Sequence, residues 1–192
     1  GNLIPLFAGA AISNAFMQTV KTGMAVAKTL ETIGALGGAT TGEVRALSDE
    51  LIRLSTTGPF GPREIAEAMQ VLTLAGLKAN EVLAVTQDVL NFSVAGTTDL
   101  KTAAETLVSV ATAFGMGAAG FGKVSDVVVR AAADSKASVE SFGEALKTAS
   151  VAGEQFGASL TDVAVQVEVL AQLGIQGSAA GTSIRNFYTD IS

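Results

Sequence analysis

The sequence predicts an all-α protein, built as an array of short amphipathic helices that are joined by glycine corners. Apolar residues recur at spacings of three and four in successive segments, and cap-forming residues precede these segments while glycines follow them. The composition of 21 Gly, 3 Pro and 5% aromatic residues favours thin helices packed through small residues over a β-sandwich. A hydrophobic N-terminal helix is predicted to precede the array.

The charge content bounds the classes of function. Charged residues make up 16% of the chain, below the usual share of about 25%, so we expect a partner to cover part of the apolar surface. The net charge is −6 without a basic cluster, which argues against direct specific nucleic-acid binding. The chain has no His and no Cys, which removes most metal ligation and the usual general base. We expect no cofactor, no metal and no enzyme activity.

The first predicted domain, residues 1–38, is a hydrophobic helix that ends at Gly34, Gly37 and Gly38. Residues 3–20 carry no charge over 18 positions, which just reaches the roughly 17–25 residues that span a bilayer. Polar side chains dilute this stretch, so a buried or partner-packed helix and a membrane-active segment both stay open. Residues 39–192 form the second predicted domain.

The second helix is predicted to begin at a cap, Thr40 or Thr41, and to carry an ion pair between Asp49 and Arg53. Its apolar stripe consists of Val44, Leu47, Leu51 and Leu54. The turn at residues 57–62 leads to a third helix over residues 63–75.

The third helix has Pro62 at its start and ends at Gly76. Asn80 is predicted to cap the fourth helix, and Gly96 to end it. Its inward residues are Val82, Val85, Val89 and Phe92.

Thr98 is predicted to cap the fifth helix, and a glycine-rich link over residues 115–122 follows it. Residues 124–134 read as a helix because Asp126 and Arg130 can pair at i,i+4, although three consecutive valines make a strand the alternative. A helix capped by Ser138 then runs to residue 152.

The chain contains a weak internal repeat. Glu67 precedes Gly76 by the same distance as Glu144 precedes Gly153, at an offset of 77. We interpret this as two related helix-corner-helix units, joined by residues 98–134.

The closing stretch begins with Ser159, a predicted cap with Asp162 three residues on, and its stripe is Leu160, Val163, Val167 and Leu170. A corner follows, and a run of small residues offers a surface for a closely packed last helix. The predicted structural corners of the chain are Gly76, Gly153, Gly174, Gly177 and Gly181.

Two motifs have a chemical alternative. Residues 115–120 fit G-x-G-x-x-G and residues 117–123 fit G-x-x-x-x-G-K, but both phosphate-binding motifs need a preceding strand, and the preceding segment is helical. A small-residue linker is the favoured interpretation. The carboxylate pairs Glu64 with Glu67 and Glu140 with Glu144 could serve acid–base chemistry, but solvated helix surface is the commoner reason for such spacing.

Four runs carry a family resemblance: GPFGPREIAEA at residues 58–68, LAGL at 74–77, VSDVVVRAAA at 124–133 and AQLGIQGSAAGTSIR at 171–185. Together they resemble the core domain of tailed-phage tail tape-measure proteins over about residues 40–190. The closing glycine-rich run is the most specific.

The resemblance implies a fragment of a much longer helical protein, which lies inside the tail tube or at the tail tip, sets tube length during assembly in the host cytoplasm and leaves before the DNA. It implies tail tube, tail-tip and assembly-chaperone proteins as partners, and a homo-oligomer is expected. No catalytic residue is carried over. A membrane-active segment that helps the genome cross the host envelope, through residues 3–20, is the alternative, and a cell-wall hydrolase ranks last.

Overall fold

The computed structural model describes residues 21–190, and these fold into helices without any strand. The prediction of an all-α array is confirmed, whereas residues 3–20 lie outside the described part. The first described helix, α1, covers residues 21–36. The others are α2 (Thr41–Thr57), α3 (Pro62–Leu74), α4 (Ala79–Gly96), α5 (Leu100–Ala113), α6 (Phe121–Ser135), α7 (Val139–Gln155), α8 (Leu160–Gln172) and α9 (Gly177–Asp190).

The helices from α2 onwards form two layers. One layer contains α2, α4, α6 and α8 and the other contains α3, α5, α7 and α9, and each helix packs on those one and two positions away in the chain. Contacts limited to near neighbours are typical of an α-solenoid, in which a continuous core forms only as successive units stack. A single buried apolar cluster accordingly runs from Leu30 in α1 to Tyr188 in α9.

The layers have a regular step. In one layer the helices begin at Pro62, Leu100, Val139 and Gly177, so the steps are 38, 39 and 38 residues. In the other they begin at residues 41, 79, 121 and 160, so the steps are 38, 42 and 39. The offset of 77 in the sequence is therefore two steps, and residues 98–134 are not a joining segment but hold α5 and α6, a further pair of the same kind.

Most corners share one backbone geometry. A residue with positive φ lies three positions before the next helical element, as in Gly76 (φ 94°) before Ala79 and Gly174 (φ 84°) before Gly177. The following N–H then donates to the carbonyl five residues earlier, at 2.8–3.2 Å, which is the Schellman bond that satisfies a helix C-terminus. The donors of this bond are Ala39, Leu77, Thr98, Met116, Ala158 and Ile175.

Two predicted caps are wrong by one or two residues. The fourth helix is capped at Lys78 instead of Asn80, and the fifth at Asp99 instead of Thr98. Each cap lies two residues after the left-handed corner residue, so the corner geometry fixes the position whatever side chain stands there. Lys78 cannot accept a bond through its side chain, and Glu81 compensates by accepting from the Lys78 N–H at 2.8 Å.

Three predicted helix ends also shift. Gly34 lies buried inside α1, next to Val44 of α2. Gly96 is the last residue of α4, and the left-handed residue is Thr97 (φ 51°). Gly153 lies inside α7, which continues to Gln155 and turns at a later glycine.

Other local predictions fare differently. Thr40, Ser138 and Ser159 cap their helices, and Pro62 begins α3. The segment after residue 121 is helical, as predicted. Both proposed i,i+4 ion pairs are wrong: Arg53 binds Glu50, with Nη2 to Oε1 at 2.6 Å, and the ion pairs within residues 21–190 do not include one between Asp126 and Arg130.

The left-handed corners predict opposite effects for substitutions towards and away from glycine. Lys136 (φ 58°) and Thr97 are exposed, non-glycine and left-handed, a conformation that costs an L-residue about 1–2 kcal/mol. We expect Lys136→Gly and Thr97→Gly to raise the unfolding free energy by up to about 1 kcal/mol, and Gly76→Ala to lower it by about 1 kcal/mol. Chemical denaturation measures all three. A stabilising Gly76→Ala would contradict the assigned geometry.

Candidate interaction surface

The glycine-rich link does not have the geometry of a phosphate-binding loop. Helix α5 ends at Ala113, a 3-10 turn at Ala118–Gly120 follows, and α6 begins directly after it. A Cβ on Gly120 would lie 2.4 Å from the Met116 Cβ, so this glycine allows the turn to close on itself. With a helix in place of the strand, the link serves as a corner.

The paired carboxylates have structural partners. Glu64 accepts a hydrogen bond from the Gly61 N–H at 2.8 Å, which satisfies the start of α3. Glu67 binds Arg63 at 2.8 Å, and Glu144 lies 3.6 Å from the Lys147 Nζ. These contacts cap and pair helices at the surface, and they bring no two carboxylates together.

Metal-binding groups and membrane spans were both sought within residues 21–190. No group of three or more His, Cys, Asp or Glu side chains there could hold a metal ion. No single helix in that range is long and apolar enough to cross a membrane; only the bent pair Leu100–Ala113 and Ala118–Ser135, at 109°, passes by length and composition.

Helices α7 and α9 pack backbone against backbone. A Cβ on Gly181 would lie 2.5 Å from the Ala145 carbonyl oxygen and 2.6 Å from the Thr148 Cβ. Within α7, a Cβ on Gly153 would lie 2.5 Å from the Val163 Cγ2. Gly153 and Gly181 are therefore not corners: both lie inside helices, at positions where a neighbouring element leaves no room for a side chain.

The last helix is fixed by one aromatic residue as well. The Tyr188 side chain is buried, its hydroxyl oxygen accepts a bond from the Gln166 amide at 2.7 Å, and its ring stacks on Phe156 at 5.6 Å between centroids. Gln166 belongs to α8 and Phe156 to the corner after α7. Tyr188 therefore connects the last three helices through one side chain.

The most apolar open surface is the α8–α9 groove, a depression of about 410 Å³ at the last described end of the array. Val165 and Val169 on α8 are each 51% exposed, and Phe187 on α9 is 56% exposed. The groove is lined by Val165, Gln166, Val169, Leu170, Ser183, Ile184 and Phe187. A second groove of about 550 Å³ lies at the opposite end and is lined by residues of α1 and α2 and by Pro62.

The sequence analysis missed Val165, Val169 and Phe187. It identified one apolar stripe on α8, of which Leu160, Val163 and Val167 are buried. The second stripe, Val165 and Val169 at i,i+4 with Leu173 four residues on, was readable from the same spacing. A helix that is apolar on two faces has a neighbour on each.

One carboxylate pair is electrostatically unfavourable. Burial raises the pKa of Asp88 on α4, and the nearby charge of Asp126 on α6 raises it further. By contrast, the cap bonds from Thr102 hold the pKa of Asp99 below its ordinary value.

Comparisons with known proteins support an interaction role. Residues 48–192 match the family model described as "Phage-related minor tail protein". The chain is also 31% identical over 189 residues to the "Tape measure protein" of Pneumococcus phage Dp-1, an alignment that covers 98% of this chain and 16% of that protein. The chain thus spans about a sixth of this relative's length. No solved structure matches the chain.

Because a Cβ at Gly181 would meet backbone atoms that cannot move away, Gly181→Ala should lower the unfolding free energy by about 1–3 kcal/mol. The matched control is Gly122→Ala in α6, where the nearest atom, the Asp88 Oδ2, is 3.8 Å from the added Cβ. We expect the control to be neutral or stabilising, by up to about 1 kcal/mol. Equal effects in thermal denaturation would contradict the close α7–α9 packing.

Asp88→Asn tests the carboxylate pair. Because the folded pKa of Asp88 is raised, the ionised form disfavours folding, and this cost disappears as pH falls through the titration of Asp88. Asp88→Asn should raise the unfolding free energy at pH 7 by a few tenths of a kcal/mol, since the group is largely solvated, and should have no such effect near pH 3. A destabilised variant at pH 7 would contradict the assignment.

Proposed function

This chain belongs to the family of phage-related minor tail proteins, and we propose that it is a segment of a tape-measure protein that scaffolds tail tube assembly, sets tail length and is released during genome ejection. The chain is therefore a structural component of a phage tail and of the virion. The observation that carries the finer proposal is the similarity of 98% of the chain to a tape measure protein.

Within such a protein, the array acts as a docking domain and another part acts as the measuring rod. Neighbouring helices pack about 8–10 Å apart, so each step of 38–42 residues advances the array by about that distance. The same residues in one continuous helix would span about 60 Å. Folding this segment therefore removes most of its reach and creates side-chain surface instead.

Tail proteins are the proposed partners. A low charge content and apolar grooves at both described ends suit contact with other proteins. The tail tube, the tail tip and the assembly chaperone are the proposed contacts, inside the tube or at its tip, together with further copies of the same protein. Assembly takes place in the host cytoplasm.

An in-frame deletion of residues 100–138 in the phage gene tests these roles. It removes α5, α6 and the following corner, one complete step of 39 residues, as from Leu100 to Val139. We expect either full-length tails or failed assembly, as seen by electron microscopy. As a control, the same number of residues is deleted from a helical region elsewhere in the protein, which should shorten tails by about 1.5 Å per residue. Shortening by that amount for the 100–138 deletion would contradict the docking role, and normal tails in the absence of the protein would contradict the tape-measure role.

The absence of charge across residues 3–20 supports one alternative, a membrane-active segment that helps the genome cross the host envelope. Flotation of a peptide covering residues 1–36 with liposomes tests it. Recovery of the peptide in the aqueous fraction would count against this role.

A further inference from the structure

The α8–α9 groove has the form of a helix-binding position within the array. Each earlier groove of this kind is occupied: α8 packs on both α6 and α7, and α9 packs on both α7 and α8. In α8 the residues that fill the groove between α6 and α7 include Leu160, Val163 and Val167, all buried. The groove between α8 and α9 is the next position in that series.

The chemistry of the groove fits an apolar helix face. The Gln166 amide already donates to Tyr188, and the Ser183 hydroxyl donates to the Ala179 carbonyl at 2.9 Å. The two polar side chains of the lining are therefore bonded within the chain. The other lining residues are aliphatic or aromatic, and Val165, Val169 and Phe187 stay at least half exposed. Leu173, at 73% exposure, extends the apolar area at the end of α8.

We propose that the α8–α9 groove binds a further amphipathic helix of the same array, carried by the longer polypeptide to which these residues belong. This inference rests on the proposed function, in which the chain is one segment of a longer tail protein. The relative from Pneumococcus phage Dp-1 is about six times as long as the matched region, which covers 16% of it. Such a protein has the chain length to supply the next helix.

The step of the array fixes where this helix begins. Steps of 38 to 42 residues within the layer of α2, α4, α6 and α8, counted from Leu160, place its first residue at positions 198–202. A residue suited to positive φ, most often Gly, should lie three positions earlier. Apolar residues at i, i+3, i+4 and i+7 should follow.

The test compares residues 1–192 with the same chain continued by one further step of its parent protein. Val169→Asp is made in both, and Val151→Asp on α7 is the matched control, because Val151 is 55% exposed and does not line the groove. In the extended chain we expect Val169→Asp to speed amide exchange in α8 about tenfold or more, since it places a charge under a packed helix. Val151→Asp should have no such effect, and neither variant should change α8 in residues 1–192.

Three outcomes would overturn the inference. One is equal α8 protection in both chain lengths, without an effect of Val169→Asp. The second is self-association of residues 1–192 that Val169→Asp abolishes, which would assign the groove to a second copy. The third is protection of α8 only after a purified tail tube or tail-tip protein is added. All measurements use purified polypeptides, so they stand apart from the tail-length experiment and fail separately from it.

Discussion

The arrangement of the helices depends on one backbone constraint, the left-handed residue that ends a helix three positions before the next helical element. With that residue in place, the following N–H bonds the carbonyl five residues earlier, as Ile175 does to Leu170 at 2.9 Å. Two residues after it comes the cap, and the next helix begins. Because the corner has a fixed length, the helix lengths alone set the step, and the chain alternates between two layers with a nearly constant period.

Small residues then decide how closely the layers pack. At Gly181 the backbones of α7 and α9 approach until a single methyl group would collide with a carbonyl oxygen. The buried hydroxyls of Thr73, Thr86 and Ser150 donate to carbonyls four residues earlier in their own helices, so they need no partner across the interface. A core of Ala, Val, Leu and three fully buried phenylalanines can therefore close with few charged groups nearby. What this core leaves uncovered is apolar, which suits a tail component surrounded by other protein.

The sequence allowed much of this to be predicted, because helix stripes and caps act over a few residues. Thr40, Ser138 and Ser159 could be identified as caps from their neighbours alone. The glycines could not be sorted in this way. Ala75-Gly76 and Ala152-Gly153 read alike, but Gly76 turns the chain, whereas Gly153 stays helical against Val163. That difference arises from long-range packing and from one extra turn in α7. The α8–α9 groove was missed because half-exposed valines resemble core residues until the partner helices are in place.

Native-state amide hydrogen exchange on residues 1–192, followed helix by helix in increasing denaturant, tests the central claim most directly. In an array held by near-neighbour contacts, stability is a sum of local terms, and helices covered on one side open first. The account predicts that α9 and the groove side of α8 exchange through partial opening, at a lower free energy than α4 to α7. Exchange of all helices at one common free energy, or strongest protection in α9, would contradict it.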